Sequence, residues 1–284
     1  MSGRSLASAW LGCIAALCLA VPVAQAAAAS SSLRLWRLDC GEVFVPDLDF
    51  LNDSFAFSGQ SRTVSVSCYL IRHGTEWFLW DTGLPLSRLG EGQRSVGGGQ
   101  ARLARSLADQ LRDIGVAVGD IQRVGLSHYH SDHSGQVAEF AQARLLIGAE
   151  DWAVVQGEGA AFNLVREEFT PWLTGGGSVD PVTGDRDVFG DGSVVMLATP
   201  GHTPGHHSLL VRLKRGPVLL TGDLWHFRAQ MPIQGVPKIN TNRADSLASM
   251  DRIQQVARQL KARIVLGHER EDRRLLPAFP ASAE

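Results

Sequence analysis

Apolar positions along the chain come in short runs separated by Gly, Pro, Asp and Ser. "LRLWRLDCG" (33–41) and "TVSVSCYLI" (63–71) are rich in Val, Leu and aromatics and predict strands. "EWFLWDTG" (76–83) predicts another, reached by a tight turn at His73-Gly74. The Gly/Ser/Arg-rich segment 87–99 predicts a surface loop. Over 100–113 the apolar positions Leu103, Leu107 and Leu111, continued by Ile114, fall at helical spacing. "IQRVGLS" (121–127) and "ARLLIG" (143–148) predict strands, and "AEDWAVVQ" (149–156) a helix. Residues 156–192, rich in Gly, Asp and Thr, predict no single element. "SVVMLAT" (193–199), "HSLLVRL" (207–213) and "PVLLTGD" (217–223) then predict three consecutive strands. A helix is expected over about Arg243–Leu260, and a last strand, "RIVLG" (263–267), runs up to His268. No internal repeat is evident. Two blocks of consecutive strands interleaved with helices predict sheets packed together with helices outside.

Composition narrows the class. The 284 residues are 44% hydrophobic and 20% charged, the balance of a globular protein with a sizeable core. The formal net charge is −2 and no basic block occurs, which points away from a nucleic-acid partner. Arg4, an apolar run from Ala9 to Val23 and "AQA" ending at Ala26 read as a cleaved signal peptide. The run is too short and Ala-rich for a membrane span. The expectation is a leader over 1–26, a single domain over 27–284, and a periplasmic or secreted product with no stable membrane insertion. Cys13 and Cys18 would leave with the leader. Cys40 and Cys68 remain, either as one disulfide or as two buried thiols.

Three of the nine histidines fall in "GLSHYHSDHSGQ" (125–136), spaced His128-x-His130-x-Asp132-His133. A solvated loop has no need of histidine at that density. A loop directly after a strand can turn all four side chains to one point, and imidazole and carboxylate suit Zn²⁺ and similar metals. Three more ligand-type residues sit at predicted strand ends: His202 in "ATPGHTPGH", Asp223 in "LLTGDLWH" and His268 in "RIVLGHE". Alone, each is weak. Together they make seven candidates, the number that two metals sharing a carboxylate require.

HxHxDH, then His in a "TPGHTPGH" turn, then "TGD", then "GH" resembles the metallo-β-lactamase-fold hydrolases across about residues 64–268. Within that group, "CYLIRHG…FLWDTGLP", "LSHYHSDHSGQ", "TPGHTPGHHSL" and "NTNRADSLASMDRI" look most like the N-acyl-homoserine lactonase family of quorum-quenching enzymes. The resemblance implies an α/β fold, the αβ/βα four-layer sandwich. It implies two divalent ions, zinc by the chemistry of the donors. His128, His130 and His202 would hold the first ion, Asp132, His133 and His268 the second, and Asp223 would bridge them. It further implies an acyl lactone substrate, a homodimer, and ring opening by a hydroxide shared between the ions, with Asp132 passing a proton to the leaving alkoxide. Asp81 in "WDTG" would either orient a ligand or simply form a turn. His206 and His207 are expected to pack or hydrogen-bond at a strand start.

One position departs from the family. Its lactonases commonly carry a tyrosine three residues after the bridging aspartate, where it donates to the substrate carbonyl. "DLWH" places His226 there, as a substitute donor or as pocket wall. Tyr129, Trp225, Phe227 and "DLDFLNDSFAF" (47–57) are candidates for the apolar wall, with Phe55 and Phe57 expected in core packing.

Rival functions on the same fold fit less well. A glyoxalase-II-type thioesterase would need a helical domain after His268, where 16 residues follow (269–284). An all-histidine β-lactamase lacks the aspartate after "TG". Promiscuous esterase or phosphotriesterase activity, an oxygen-consuming iron enzyme, and a non-catalytic metal or lactone binder remain as alternatives. No GxSxG or SxxK motif offers a competing nucleophile.

Overall fold

Strands β1 (Leu33–Val45), β2 (Arg62–His73) and β3 (Glu76–Trp80) form an antiparallel meander, and the long runs of apolar residues in β2 and β3 are buried on both faces. The computed structural model describes Met1 and residues 33–90, 93–94 and 100–284. The leader expected over 1–26 lies, Met1 apart, outside the described residues, as do 91–92 and 95–99 of the loop expected over 87–99.

Among the described residues the chain continues through β4 (Gln93–Arg94), β5 (Gln100–Arg102), α1 (Leu107–Asp113) and β6 (Arg123–Gly125). Next come α2 (Ser131–Ser134), β7 (Arg144–Gly148), α3 (Ala149–Gln156), α4 (Thr170–Leu173) and β8 (Val179–Val182). These strands build an eight-stranded sheet in the order β4-β5-β1-β2-β3-β6-β7-β8. The second sheet takes β9 (Arg186–Asp187), β10 (Val194–Ala198), β11 (His207–Leu213), β12 (Gly216–Leu220) and β13 (Arg263–Val265), in the order β13-β12-β11-β10-β9. Helix α5 (Arg243–Leu260) crosses between β12 and β13.

Period-two alternation explains how the layers stack. Tyr69, Ile71, Phe78 and Trp80 of the first sheet share one buried cluster with Leu209, Val211, Val218 and Leu220 of the second, so these faces meet. The intervening Cys68, Leu70 and Leu79 face a different cluster containing Leu107 and Leu111 of α1. Leu210 and Leu219 face α5 through Met250, Ile253 and Ala257. The result is helix, sheet, sheet, helix, the sandwich that the sequence led us to expect. Strands covered on both faces carry near-continuous apolar runs, which is why they stood out in the sequence. Asn242 caps α5 by accepting from the amides of Ala244 and Asp245. Lys261 ends it in the left-handed conformation at φ +51.

Three expectations change. The helix over 100–113 shortens to α1, because Ser106 caps at that point and residues 100–102 pair with β1 and β4 instead. Leu103 still joins the α1 cluster, but from an extended segment, which is how its spacing imitated a helix. Within 156–192, β8 pairs in parallel with β7 as the edge strand, where Pro181 costs no inner ladder bond. The cysteine alternatives resolve: Cys40 and Cys68 are disulfide-bonded, with Cα atoms 5.8 Å apart, beside the irregularity where the β1–β2 register shifts at Asp39/Gly41. The described residues from Leu33 onward belong to one compact unit. No helix among the described residues is long and apolar enough to cross a membrane.

Candidate metal centre

Five strands deliver the polar cluster. β3 leads into Asp81, parallel β6 into Ser127 and His128, β10 into the turn holding His202, and parallel β12 and β13 into Asp223 and His268. Carboxyl ends of strands are where such sheets place ligands. The turn after β3 requires glycine: Gly83 sits at φ +66, and a Cβ there would lie 2.3 Å from Cys40 Cβ. After β12, Gly222 at φ +55 lets the chain pass His206, to which a Cβ would come within 2.6 Å of Nε2.

All seven candidate ligands converge. His128, His130, His202 and Asp223 form one group of donor atoms within 4.8 Å of one another, and Asp132, His133 and His268 form a second. Asp223 faces both. Its Oδ2 lies 3.3 Å from His202 Nε2 and 3.9 Å from His128 Nε2, and its Oδ1 lies 3.1 Å from His133 Nε2 and 3.2 Å from His268 Nε2. Asp132 is the most open member, with a side chain 19% exposed and Oδ1 accepting from Asn163 Nδ2.

The cluster suits cations. His133 Nδ1 donates to Asp81 Oδ2 at 2.9 Å, and His268 Nδ1 donates to the Ser65 carbonyl at 2.7 Å. His202 Nδ1 meets Asn240 Oδ1 at 2.7 Å, and His128 Nδ1 meets Ser127 Oγ at 3.0 Å. In neutral rings so held, the lone pairs point inward. Two pairs of imidazole nitrogens then confront each other, His133 with His268 at 3.3 Å and His202 with His130 at 3.1 Å. His128 Nε2 is buried with no hydrogen-bond partner. A metal ion accepts all these lone pairs, and the outer contacts are the kind that orient ligands.

Charge divides the cluster. Burial, reinforced by neighbouring imidazoles, holds His128 and His130 well below the usual histidine range. At His133 and His268 burial is the largest single influence and acts downward, but Asp223 and Asp132 at both, with Asp81 at His133, together overcome it and raise them. Burial would raise Asp223, and His268, His133 and His226 overcome it and hold it well below the carboxylate range.

Several expectations about supporting residues can be settled. Asp81 does both things considered for it: it takes the turn at φ +60, and its carboxylate accepts from His133 and from the Ser127 amide at 2.6 Å. His206 Nε2 accepts from the Asp223 amide at 3.0 Å, so it fixes the backbone of Asp223, while the His207 ring lies between the carbonyls of Gly205 and Gly184. His226 enters the cluster, with Nε2 3.1 Å from Asp223 Oδ2. The sequence reading missed Asn240, Asn163, Asp151 and Glu168. Asp151 is fully buried and accepts from Thr203 Oγ1 and the Gly205 amide, pinning the His202 turn, and burial pushes its carboxyl up to about 7. Glu168 accepts from Ser131 and Ser134 beside the ligand loop. "NTN" before α5 was the one available signal for Asn240.

A cavity of about 610 Å³ opens onto Asp132, Asp223, His226 and His268. Its apolar wall comes from Phe44, Val45, Phe50, Leu51, Leu84 and Phe162, with others. Two expected wall residues are core instead: Trp225 and Phe227 are fully buried, and Phe57 packs edge-on against Phe227 at 4.9 Å. Tyr129 lines an adjoining cavity of about 420 Å³. Phe55, expected in the core, is exposed, with Lys238 Nζ 5.2 Å from its ring centroid. Aromatic residues in a turn-rich segment carry no periodicity to say which way they face.

Residues 62–268 match the family model described as the metallo-beta-lactamase superfamily. N-acyl homoserine lactonase AttM of Rhizobium radiobacter is 30% identical over 178 residues, 57% of this chain. The chain spans 63% of the length of that relative. N-acyl homoserine lactonase AiiB of Agrobacterium fabrum (strain C58 / ATCC 33970) is 28% identical over 264 residues, 84% of this chain and 94% of that protein. Among solved structures, an N-acyl homoserine lactone hydrolase with the product N-hexanoyl-L-homoserine bound at the catalytic metal center superposes with a TM-score of 0.75. The superposition covers 88% of this chain and 98% of that one at 24% identity, a likeness of fold.

Proposed function

The chain belongs to the metallo-beta-lactamase superfamily, and from that premise we propose that it is a dinuclear metal-dependent hydrolase that opens the lactone ring of N-acyl-homoserine lactones. The observation that carries the reading is the pair of donor groups joined by Asp223 at the floor of an apolar-walled cavity. Two relatives named as N-acyl homoserine lactonases support the substrate class. His128, His130 and His202 would hold one ion, Asp132, His133 and His268 the other, with zinc the metal that best suits nitrogen and carboxylate donors. When bound, such a pair supplies a Lewis acid for the ester carbonyl and a water acidic enough to attack near neutral pH.

The chain's own groups do the rest. Phe44, Phe50 and Leu51 offer an acyl tail an apolar surface and exclude water from it. Asp132 is partly exposed and tethered by Asn163, so it is placed to take the proton released by the attacking water and pass it to the leaving ring oxygen. We place the protein outside the cytoplasm, exported by the leader over 1–26. The Cys40–Cys68 disulfide favours an oxidising compartment.

Ring opening of acyl-homoserine lactones by the metal-loaded and chelator-stripped protein tests the reading. Turnover that disappears with the metals and returns on reloading is expected. A loaded protein that binds these lactones without opening them would make it a binder and end the enzyme reading. Mass spectrometry of exported protein should find an N-terminus at about Ala27; a retained leader would overturn the address.

A further inference from the structure

We propose that His226 is itself a metal ligand, set beside Asp223 between the His202 and His268 sides of the centre. The inference rests on the two-ion reading above and deepens it. Two donor atoms on one ion, each bonded at about 2.0–2.1 Å, must lie roughly 2.8–3.4 Å apart for angles between square and tetrahedral. His226 Nε2 lies 3.1 Å from Asp223 Oδ2, the oxygen that also faces His202. That is the spacing of the accepted candidates: 3.1 Å for His133, 3.2 Å for His268 and 3.3 Å for His202, each to an Asp223 oxygen. The donor atoms of Asp223, His226 and His268 also lie within 4.8 Å of one another, a third ligand-type group.

The ring is built into place. It stacks on His268, with centroids 5.2 Å apart and planes 7° from parallel, and it is 4% exposed. Gln230 Oε1 accepts from the amides of both His226 and Phe227, fixing the backbone below it. The rival role, donating to a substrate carbonyl, would need a nitrogen free toward the cavity. Nε2 is instead directed at Asp223, and Nδ1 is buried with no hydrogen-bond partner. That Nδ1 marks a difference from His128, His133, His202 and His268, whose outer nitrogens all have partners. His226 therefore lacks the outer hydrogen bond that orients those four.

Cobalt(II), whose visible absorption strengthens as coordination number falls, reports the loss of a ligand directly. Wild type, His226→Phe, which preserves the stack on His268, and His226→Ala are titrated with cobalt(II) against a competing chelator. Wild type should take two ions per chain. Both variants should keep one ion at wild-type affinity, which also shows that they fold. They should bind the other about ten- to a hundredfold more weakly, the scale seen when a ligand's support is lost, with a stronger visible band once it is forced in. If His226→Phe binds both ions with wild-type affinity and an unchanged spectrum, His226 is no ligand and the inference is overturned, whatever His226→Ala does. If wild type itself takes fewer than two ions, the two-ion reading fails first.

Discussion

His268 and Phe162 line the same cavity and are held by opposite means. His268 is 3% exposed, its Nδ1 donates to the Ser65 carbonyl, and the Ser65 amide donates back to the His268 carbonyl at 3.1 Å. Phe162 is 39% exposed and meets the rings of Phe50 and His130 at 6.1 and 5.5 Å. The contrast extends to their surroundings. Every floor imidazole sits just past a strand or inside a turn pinned by buried polar contacts. The wall is assembled from 43–51, 84–88, 162–165 and Ile239, largely by apolar contact. Precise placement is needed where metal ions would be gripped, whereas the proposed acyl tail would need only a dry surface of the right length. Changes in the floor should therefore abolish chemistry, and changes in the wall should only redistribute it.

Asp223→Ala is the strongest test of the floor. It removes the carboxylate that faces both donor groups, so lactone turnover should fall by about a thousandfold or more, comparable to losing a principal electrostatic element of a site. The fold should persist, since the inter-sheet core does not include Asp223. Steady-state rates with circular dichroism as control decide it; near-native turnover with both metals bound would remove Asp223 from the bridge.

Asp151 tests whether the floor's supports carry strain. Burial holds its carboxyl at about 7 in the fold, above the usual carboxylate range, so the folded state binds the proton more tightly than the unfolded chain does. Stability from this group is present below about pH 4 and drains away as pH rises toward 7. Asp151→Asn abolishes that loss. Relative to wild type, the variant should gain roughly 2–3 kcal/mol between pH 5 and pH 8, about two pH units at 1.36 kcal/mol each. Urea unfolding at the two pH values measures it. A constant difference would mean that Asp151 does not titrate in this window.

Asp81→Asn separates charge from geometry. Asparagine tolerates the positive φ that Asp81 adopts, so the turn should survive while the carboxylate on His133 is lost. Metal affinity or activity should drop about ten- to a hundredfold. An unchanged affinity for both ions would leave Asp81 as a turn residue alone.

The same contrast explains what the sequence could reveal. The strands were legible because burial on both faces demands unbroken apolar runs, as in "SVSCYLI" and "PVLL". The seven floor residues were legible because metal chemistry restricts residue type and because strand ends collect them. Their supports were not: Asn163, Asp151 and Glu168 reach the floor from segments whose local pattern says nothing of it, and the Ser65 carbonyl could belong to any residue. The wall was read least well. Trp225 and Phe227 went inward and Phe55 outward, because an aromatic residue in a turn serves core and surface equally and only the tertiary packing decides.

Phe162 is where the wall can be altered most selectively. It lines both the main cavity and the adjoining one behind it, together with His130 and Ile239, so its ring forms part of the partition between spaces of about 610 and 420 Å³. The adjoining space is lined by Val154, Ala160, Ala161 and Pro204, a surface suited to methylenes. Phe162→Ala should join the two, letting a longer acyl tail bury more of its length. Each added buried CH₂ is worth about 0.8 kcal/mol, but the variant also loses the ring's own contact with the tail. The net expectation is a rise of about three- to tenfold in kcat/KM for dodecanoyl over butanoyl homoserine lactone, relative to wild type. Metal content should not change, because Phe162 offers no donor atom and the floor imidazoles keep their outer partners. Measuring kcat/KM across acyl lengths, with metals quantified in each preparation, distinguishes the cases. A uniform fall at every chain length, or a loss of metal, would show that Phe162 supports His130 rather than bounding the tail, and the line drawn here between floor and wall would have to move.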